Sequence, residues 1–546
     1  MTNYVRRIIL CLCIQLLLIS LAELHAQEVY QHVSSTGIYD YLDELSNAQI
    51  ITLNSAVKPY SRILISEKLA EAYNKRAELN LRQQKELDFY LKDFSKELRP
   101  DKKFDKRLDL FYYKDTLFTF NINPILGMSY FSNDSGSFYH RWNGAEAYAY
   151  VGKKLGFYAS LRDNHESKRL SDPEYLNQFD ASNYKVDTKG GGDFDEMRGG
   201  MTYTWDWGSI GLVKDHIVWG DNYHGSNIFS GHQPSFAFLK FHLKPVSWFD
   251  FNYIHGWLVS DIIDSSKTYV NGNSNRINFR PKYIAANLYT FTPLKRLQLS
   301  LGNSIVYSDQ NVHPAYLIPF FFFKTIDHSL TSTGSNFLGQ NSQFFFNISS
   351  RNIRNTHLYL SAFVDEIALG RATDSEKHSN FYSLKIGGRL SNLGIKNLFV
   401  TAEYTRTNPV VYRHYIETTT FASSSFNMGH YLGDNAQEVY LALAYKPIAK
   451  LHVELSYTMA QKGWEYLYTG VSRDPQGNGL GHPFIDRVYW QGSDISFKTK
   501  YQLVNDAWIF ASVSSTDYNG LKNDVYTMPY FKGKKTTINV GANVGF

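Results

Sequence analysis

"KLHVELSYTMAQ" runs from Lys450 to Gln461. Leu451, Val453, Leu455, Tyr457 and Met459 are apolar, and His452, Glu454, Ser456, Thr458 and Ala460 stand between them. A period of two places these sets on opposite faces of a β-strand. "SLKIGGRL" repeats the pattern, with Leu384, Ile386 and Leu390 against Ser383, Lys385 and Arg389. "EVYLALAY" repeats it again through Val439, Leu441, Leu443 and Tyr445. One apolar face and one polar face suit a β-sandwich or a membrane barrel. Sandwich strands are usually about 5–6 residues long. Several strands here run to about ten or more, the length that crosses a bilayer at a tilt.

Working outward, the chain divides into about 18 such strands. They lie near 116–131, 139–151, 155–164, 195–205, 208–219, 235–244, 247–258, 279–292, 295–308, 341–351, 355–366, 380–390, 397–405, 437–446, 451–462, 488–503, 507–518 and 535–546. Their connections alternate in length. Short links such as "GKK", "DWG", "KPVS", "TPLK" and "NIRN" alternate with long ones such as 165–194, 220–234, 309–340 and 406–436. Short turns on one side and long loops on the other mark an outer-membrane barrel. The predicted fold class is therefore an all-β transmembrane barrel of about 18 antiparallel strands. In the last strand, Ile538, Val540, Ala542, Val544 and Phe546 alternate with Thr537, Asn539, Gly541, Asn543 and Gly545. A terminal Phe on such a strand resembles the signal by which the barrel-assembly machinery receives its clients.

The start differs. Arg6 and Arg7 precede an apolar run from Ile8 to Leu21, and "ELHA" offers a cleavage site, so residues 1–26 read as a secretory signal peptide. Both cysteines, Cys11 and Cys13, lie in that segment, so the mature chain is expected to hold none. Residues 27–110 switch to helical spacing and read as a small helical periplasmic bundle, leaving 111–546 as the barrel. "GIYDYLDELSNAQII" opens it. Ser66 is the expected cap of "EKLAEAYNKRAEL", and Leu87, Tyr90, Leu91, Phe94 and Leu98 form a further stripe before Pro100. No segment reaches about 18 consecutive apolar residues, so no membrane-spanning helix is expected. A formal net charge of only +5 argues against nucleic acid as a partner.

Catalytic patterns are missing. "KGGGDFDE" lacks the strand-then-helix setting of a phosphate cradle. "DPQGNGLGH" lacks the alternating ligands of a Ca²⁺ loop, and no His-Glu-x-x-His pair occurs. No enzyme activity, metal or cofactor is expected. The 40 Tyr, 37 Phe and 9 Trp suit the aromatic girdles of a barrel. "PFFFFK", Pro319 to Lys324, falls in a long outer loop where water penalises four phenylalanines, and it is expected to fold inward.

The candidate binding residues sit in "YTRTNPVVYRHY", which starts at the outer lip of the thirteenth strand. Pro409 ends regular pairing there. Arg406, Arg413 and His414 can donate to acidic or hydroxyl-rich ligands, and Tyr412 and Tyr415 can stack on sugar rings. Tyr404 shares the rim. A bracing role, with Glu403 and Glu417 as partners of the arginines, competes with ligand contact.

This run, with "NMGHYLGDNAQEVYLALAY", "DYLDELSNAQII…KPYSR", "WGDNYHGSNIFSGHQPSFAFLKFH" and "IHGWLVSD", resembles the Wzi family of outer-membrane capsule-assembly proteins. The resemblance implies a lectin-like barrel in the Gram-negative outer membrane, and the chain is expected to be a monomer. Such a barrel anchors or organises capsular or extracellular polysaccharide, and related proteins of gliding bacteria are linked to motility. A diffusion porin for small hydrophilic solutes, or a part of a motility or secretion complex, are the alternatives.

Overall fold

The computed structural model describes residues 27–94, 96–97, 109–331, 339–374, 378–467, 481–504, 507–521 and 524–545. The signal peptide, Leu98, Pro100, Asp474–Leu480 of the weighed Ca²⁺ loop and the terminal Phe546 lie outside these residues.

Eighteen antiparallel strands close into a barrel. They are β1 (Phe118–Asn133), β2 (Gly136–Val151), β3 (Leu155–Glu166), β4 (Gly192–Trp205), β5 (Gly208–Asp215), β6 (Phe236–Val246), β7 (Phe249–Leu258), β8 (Lys282–Leu294) and β9 (Leu297–Ser308). The ring continues with β10 (Asn341–Ser350), β11 (Thr356–Glu366), β12 (Phe381–Ser391), β13 (Leu398–Thr407), β14 (Ala436–Ile448), β15 (Leu451–Gly463), β16 (Val488–Val504), β17 (Ala507–Gly520) and β18 (Gly533–Val544). β18 closes on β1, with Ile538 opposite Ser132 and Val544 opposite Leu126. Short ladders at 111–114 and 185–186 are added to β1 and β4.

The alternation read from the sequence is the division between lipid and lumen. Leu455, Tyr457, Met459, Ile538 and Val540 are exposed on the outside, while Ser456 and Thr537 are buried inside. A closed ring leaves no unpaired edge, and an apolar exterior is what hydrocarbon requires. Among the described residues no helix is long and apolar enough to cross a membrane. The fold is that of an outer-membrane barrel, with the short turns on the periplasmic side.

The N-terminal helices lie at this short-turn end, seated in the mouth of the barrel. They are α1 (Thr36–Asn47), α2 (Arg62–Asn74) and α3 (Leu81–Phe94). Ser61 caps α2, accepting from the Leu64 amide at 3.3 Å. The expected cap, Ser66, lies inside the helix and donates to the Ile63 carbonyl at 2.8 Å. The helix starts earlier because Ile65 joins Leu69 and Ala72 in the packed face. Tyr41, Leu42, Leu45, Ile65, Leu69, Leu87 and Leu91 form a core of their own.

Around this core, polar contacts reach the wall on many sides. Gln27 meets the Gly152 carbonyl at 2.7 Å, Lys96 the Tyr148 hydroxyl at 2.8 Å, and Gln298 the Leu53 carbonyl at 3.1 Å. Arg389 meets Asp40 at 3.2 Å and Tyr90 meets Gln502 at 3.3 Å. Arg351, just past β10, binds Asp43 at 2.8 Å, Asn47 at 2.7 Å and Ser55 at 3.0 Å. Burial raises the Asp43 carboxyl, and the Arg351 and Arg389 charges more than reverse it, holding it below the carboxylate range.

"PFFFFK" departs from expectation. It packs on the lipid-facing outside of the wall, not inward. The Phe320 ring stacks on Phe251 at 4.8 Å, and Phe322 meets Phe344 at 5.0 Å. Phe320, Phe321 and Phe322 stay exposed, whereas Phe323 is buried and opens helix α4 (Phe323–Thr331). The cause lies in the strands beneath. Asn287 and Asn303 sit on the outward faces of β8 and β9, where lipid offers no partner. Asn287 donates to the carbonyls of Pro319 and Phe321 at 2.9 and 3.0 Å, and Asn303 accepts from the Phe323 amide at 3.0 Å. Tyr253 and Tyr289 cap the carbonyls of Tyr316 and Phe320 at 2.7 and 3.0 Å. Segment 314–331 is thus a strap whose backbone is satisfied by the wall and whose rings face the bilayer.

Candidate functional site

The loop after β5, residues 216–235, enters the lumen. The turn inward begins at Ile217, and Val218 and Trp219 pair with Lys58 and Val57 of the N-terminal region. Because of this, β5 stops at Asp215, short of the 219 expected from the sequence. The loop's apolar residues, Trp219, Ile228 and Phe229, join the luminal core with Phe345 and Phe363. Its polar residues are matched to the wall. Asn227 donates to the carbonyls of Ser361 and Ser383 at 3.1 Å each, and Asn347 donates to Asp221 at 2.7 Å. Tyr223 reaches Asp43 of α1 at 2.8 Å, and Ser55 donates to Asp221. A loop from outside and a plug from inside therefore meet within the barrel.

A second loop, 408–435, lies over the first as a lid. Regular pairing ends at Thr407, before Pro409 as expected. The Val411 and Tyr412 amides donate to Asp434 at 3.0 and 2.8 Å. The Tyr412 hydroxyl donates to the Asn227 carbonyl at 2.7 Å, and the Ser230 amide donates to the Met428 carbonyl at 2.9 Å. Phe421 packs on Phe363 at 4.9 Å and on Phe229 at 5.2 Å. Gly429 allows the close fit, since a Cβ there would lie 2.2 Å from the Tyr412 ring.

The six sequence-predicted residues separate into three groups. Tyr404 and Arg406 are not brought to the mouth. The strand period assigns both to the outward set of β13, Tyr404 bonding Gln437 at 3.1 Å. The Arg406 guanidinium lies 3.8 Å from the Phe484 ring centroid and donates to Asn408 at 2.9 Å. Tyr412 is 3 % exposed, so no ring face is open for a sugar. Arg413, His414 and Tyr415 remain on the outer surface of the lid.

The bracing network exists, with other partners than expected. Arg413 pairs with Glu465 and lies 3.9 Å from Asp434. Glu403 instead pairs with Lys385 at 3.0 Å and accepts from the Tyr223 and His224 amides. Glu417 is exposed. Burial opposes the Glu465 charge, and Lys462 and Arg413 overcome it, holding the carboxyl below its usual range. Burial pushes the His414 imidazole down to about 4, and its Nδ1 meets the Thr419 hydroxyl at 2.7 Å. Tyr415 stands over His414 with ring centroids 4.0 Å apart. The outer surface thus carries one aromatic face, a guanidinium and a carboxylate on a braced base.

No protein-family model and no curated protein matches the chain. Among solved structures, the barrel superposes on Wzi with a TM-score of 0.56 at 11% identity, covering 95% of this chain and 100% of that one. The fold is similar to that of Wzi. Wzi is an outer-membrane protein involved in group 1 capsule assembly in Escherichia coli and a carbohydrate-binding β-barrel. OccAB2 of Acinetobacter baumannii follows with a TM-score of 0.40 at 11% identity, over 77% of this chain and 98% of that one. OpdK of Pseudomonas aeruginosa, solved with vanillate, gives 0.41 at 10% identity, over 78% of this chain and 97% of that one.

The luminal course of loop 216–235, on which the lid rests, is what sequence reasoning missed. Its signal was present: Ile228 and Phe229 are apolar residues in the middle of a nominal outer loop.

Proposed function

We propose that this protein holds capsular or extracellular polysaccharide at the cell surface and does not catalyse a reaction. The observation that carries the reading is the lid. Two loops and the plug meet inside the barrel, and the lid presents Arg413, His414 and Tyr415 outward from that rigid base. Hydroxyl-rich polymers are bound by charge-assisted hydrogen bonds and by rings stacked on sugar faces. The likeness to Wzi, a carbohydrate-binding barrel, supports the same reading. Outer-membrane lipid surrounds the wall, and the barrel-assembly machinery inserts it through its last strand.

The test is a deletion strain, which should shed its polysaccharide into the medium. Purified protein in detergent should bind that polysaccharide. Arg413→Ala with Tyr415→Ala should weaken binding about tenfold or more while leaving the melting temperature of the barrel unchanged. Normal polysaccharide retention in the deletion strain sinks the proposal. Planar-bilayer recordings separate it from a diffusion porin: the filled lumen leads us to expect no large steady conductance.

A further inference from the structure

Three donor atoms from three elements converge below the lid. His32 comes from the N-terminal region, Glu196 from the inner face of β4, and His216 from the residue after β5. His32 Nε2 lies 3.4 Å from His216 Nδ1. Glu196 Oε1 lies 3.5 Å from His216 Nδ1 and 3.9 Å from His32 Nε2. A tetrahedral zinc ion with bonds of about 2.0–2.1 Å holds its donor atoms about 3.3–3.4 Å apart. The triangle already has two sides near that spacing, and a shift of about half an ångström by Glu196 completes it.

Two of the ligands, His32 and Glu196, have their other atom occupied. His32 Nδ1 bonds the Ser34 hydroxyl at 2.5 Å, and Glu196 Oε2 takes Arg162 at 2.8 Å. Partners of this kind orient metal ligands in the first place. Asp215 is also close. It is engaged by Arg198 at 2.8 and 3.1 Å and by Tyr158 at 2.8 Å, so it serves as a buried counter-charge. The neighbourhood carries Glu196, Asp215 and Asp180 against Arg162 and Arg198. The competing reading is an ion-free cluster in which Glu196 accepts from an imidazole N–H, and zinc titration separates the two.

We propose that His32, His216 and Glu196 bind a divalent transition ion of the zinc class, with the remaining position open to water. The ion ties the plug, the wall and the luminal loop together. This inference is independent of the polysaccharide reading.

The test uses tag-free, full-length processed protein in detergent, stripped with chelator and titrated with Zn²⁺ by calorimetry, with Mg²⁺ as control. One zinc per chain is expected, with a higher melting temperature and no response to Mg²⁺. His216→Ala and Glu196→Gln should each weaken zinc binding about tenfold or more, whereas His313→Ala, far from the cluster, should not. X-ray absorption on the zinc-loaded wild type should show two imidazoles and a carboxylate, a readout independent of how any variant folds. Absence of stoichiometric zinc, a different ligand set, or unchanged affinity in both variants overturns the proposal.

Discussion

The strap of residues 314–331 allows a quantitative test of how this barrel satisfies backbone in lipid. The perturbation is Asn287→Leu together with Asn303→Leu. In the native chain these two side chains cap the carbonyls of Pro319 and Phe321 and the amide of Phe323. The double variant leaves those three backbone groups unpaired at membrane depth. Each costs about 1–3 kcal/mol, so the strap loses about 3–9 kcal/mol of attachment. The barrel itself suffers little, because leucine on an outward face suits lipid. The strap should leave the wall while the ring stays closed. Because the only cysteines are Cys11 and Cys13, within the segment expected to be removed, Phe321→Cys supplies a single labelling site. A fluorophore there, in vesicles whose acyl chains carry a quencher, should be strongly quenched in the parent. In the double variant quenching should fall and a water-soluble maleimide should gain access. Ready labelling by that maleimide in the parent, or unchanged quenching in the variant, would falsify the argument that the asparagines hold the strap.

Other outcomes follow from the plug and the lid. Arg351→Met should weaken plug docking by about 1–3 kcal/mol, because Asp43 loses its nearest guanidinium while Arg389 stays 3.7 Å away; faster proteolysis within residues 27–94 of the closed barrel reads this. Gly429→Ala should destabilise the lid by about 1–3 kcal/mol through overpacking against Tyr412, seen as faster cleavage in 408–435 at an unchanged barrel melting temperature. Acid should loosen the same lid. His414, held at about 4, and Glu465, held below its usual range, both bind more protons when the lid opens. Their stabilisation is complete above the open-state values of about 6.5 and 4.3 and is lost as pH falls through the closed-state values. Asp434, raised by burial, opposes them. Lid proteolysis at pH 5 should exceed that at pH 7.5, and His414→Gln should flatten the difference. Equal rates at both pH values in the parent would count against the assignment.

The ring was legible because its signal is repeated. Each strand carries its own period of two, and alternating link lengths fix which side each link lies on. Boundaries fell within a few residues, and β5 ended early only because Val218 and Trp219 pair with the N-terminal region. That pairing spans distant chain segments, and no local pattern encodes it. The candidate site was less legible for the same reason. Position relative to Pro409 places the whole dodecamer near the rim, but the parity of each residue then decides its environment. Tyr404 and Arg406 share parity with the lipid-facing set of β13. Beyond Thr407 the period ends, so nothing local distinguishes buried Tyr412 from exposed Tyr415.

The two apolar loops show what additional sequence signal was available. "SNIFSG" and "PFFFFK" are both too apolar for loops in water, yet one enters the lumen and the other lies on the outside. The strands beneath them decide. Around the lumen, Asn347 and the carbonyls of Ser361 and Ser383 await partners on the inner face, and Asp221 and Asn227 supply them. On β8 and β9, Asn287 and Asn303 carry the parity of the lipid-facing set, a costly placement unless something polar covers them. An outward polar residue at mid-membrane depth therefore predicts a covering backbone, and the nearest loop rich in phenylalanine is the segment able to provide it while tolerating lipid. Reading loop apolarity together with strand parity assigns both loops correctly, whereas loop composition alone sent "PFFFFK" to the wrong side of the wall.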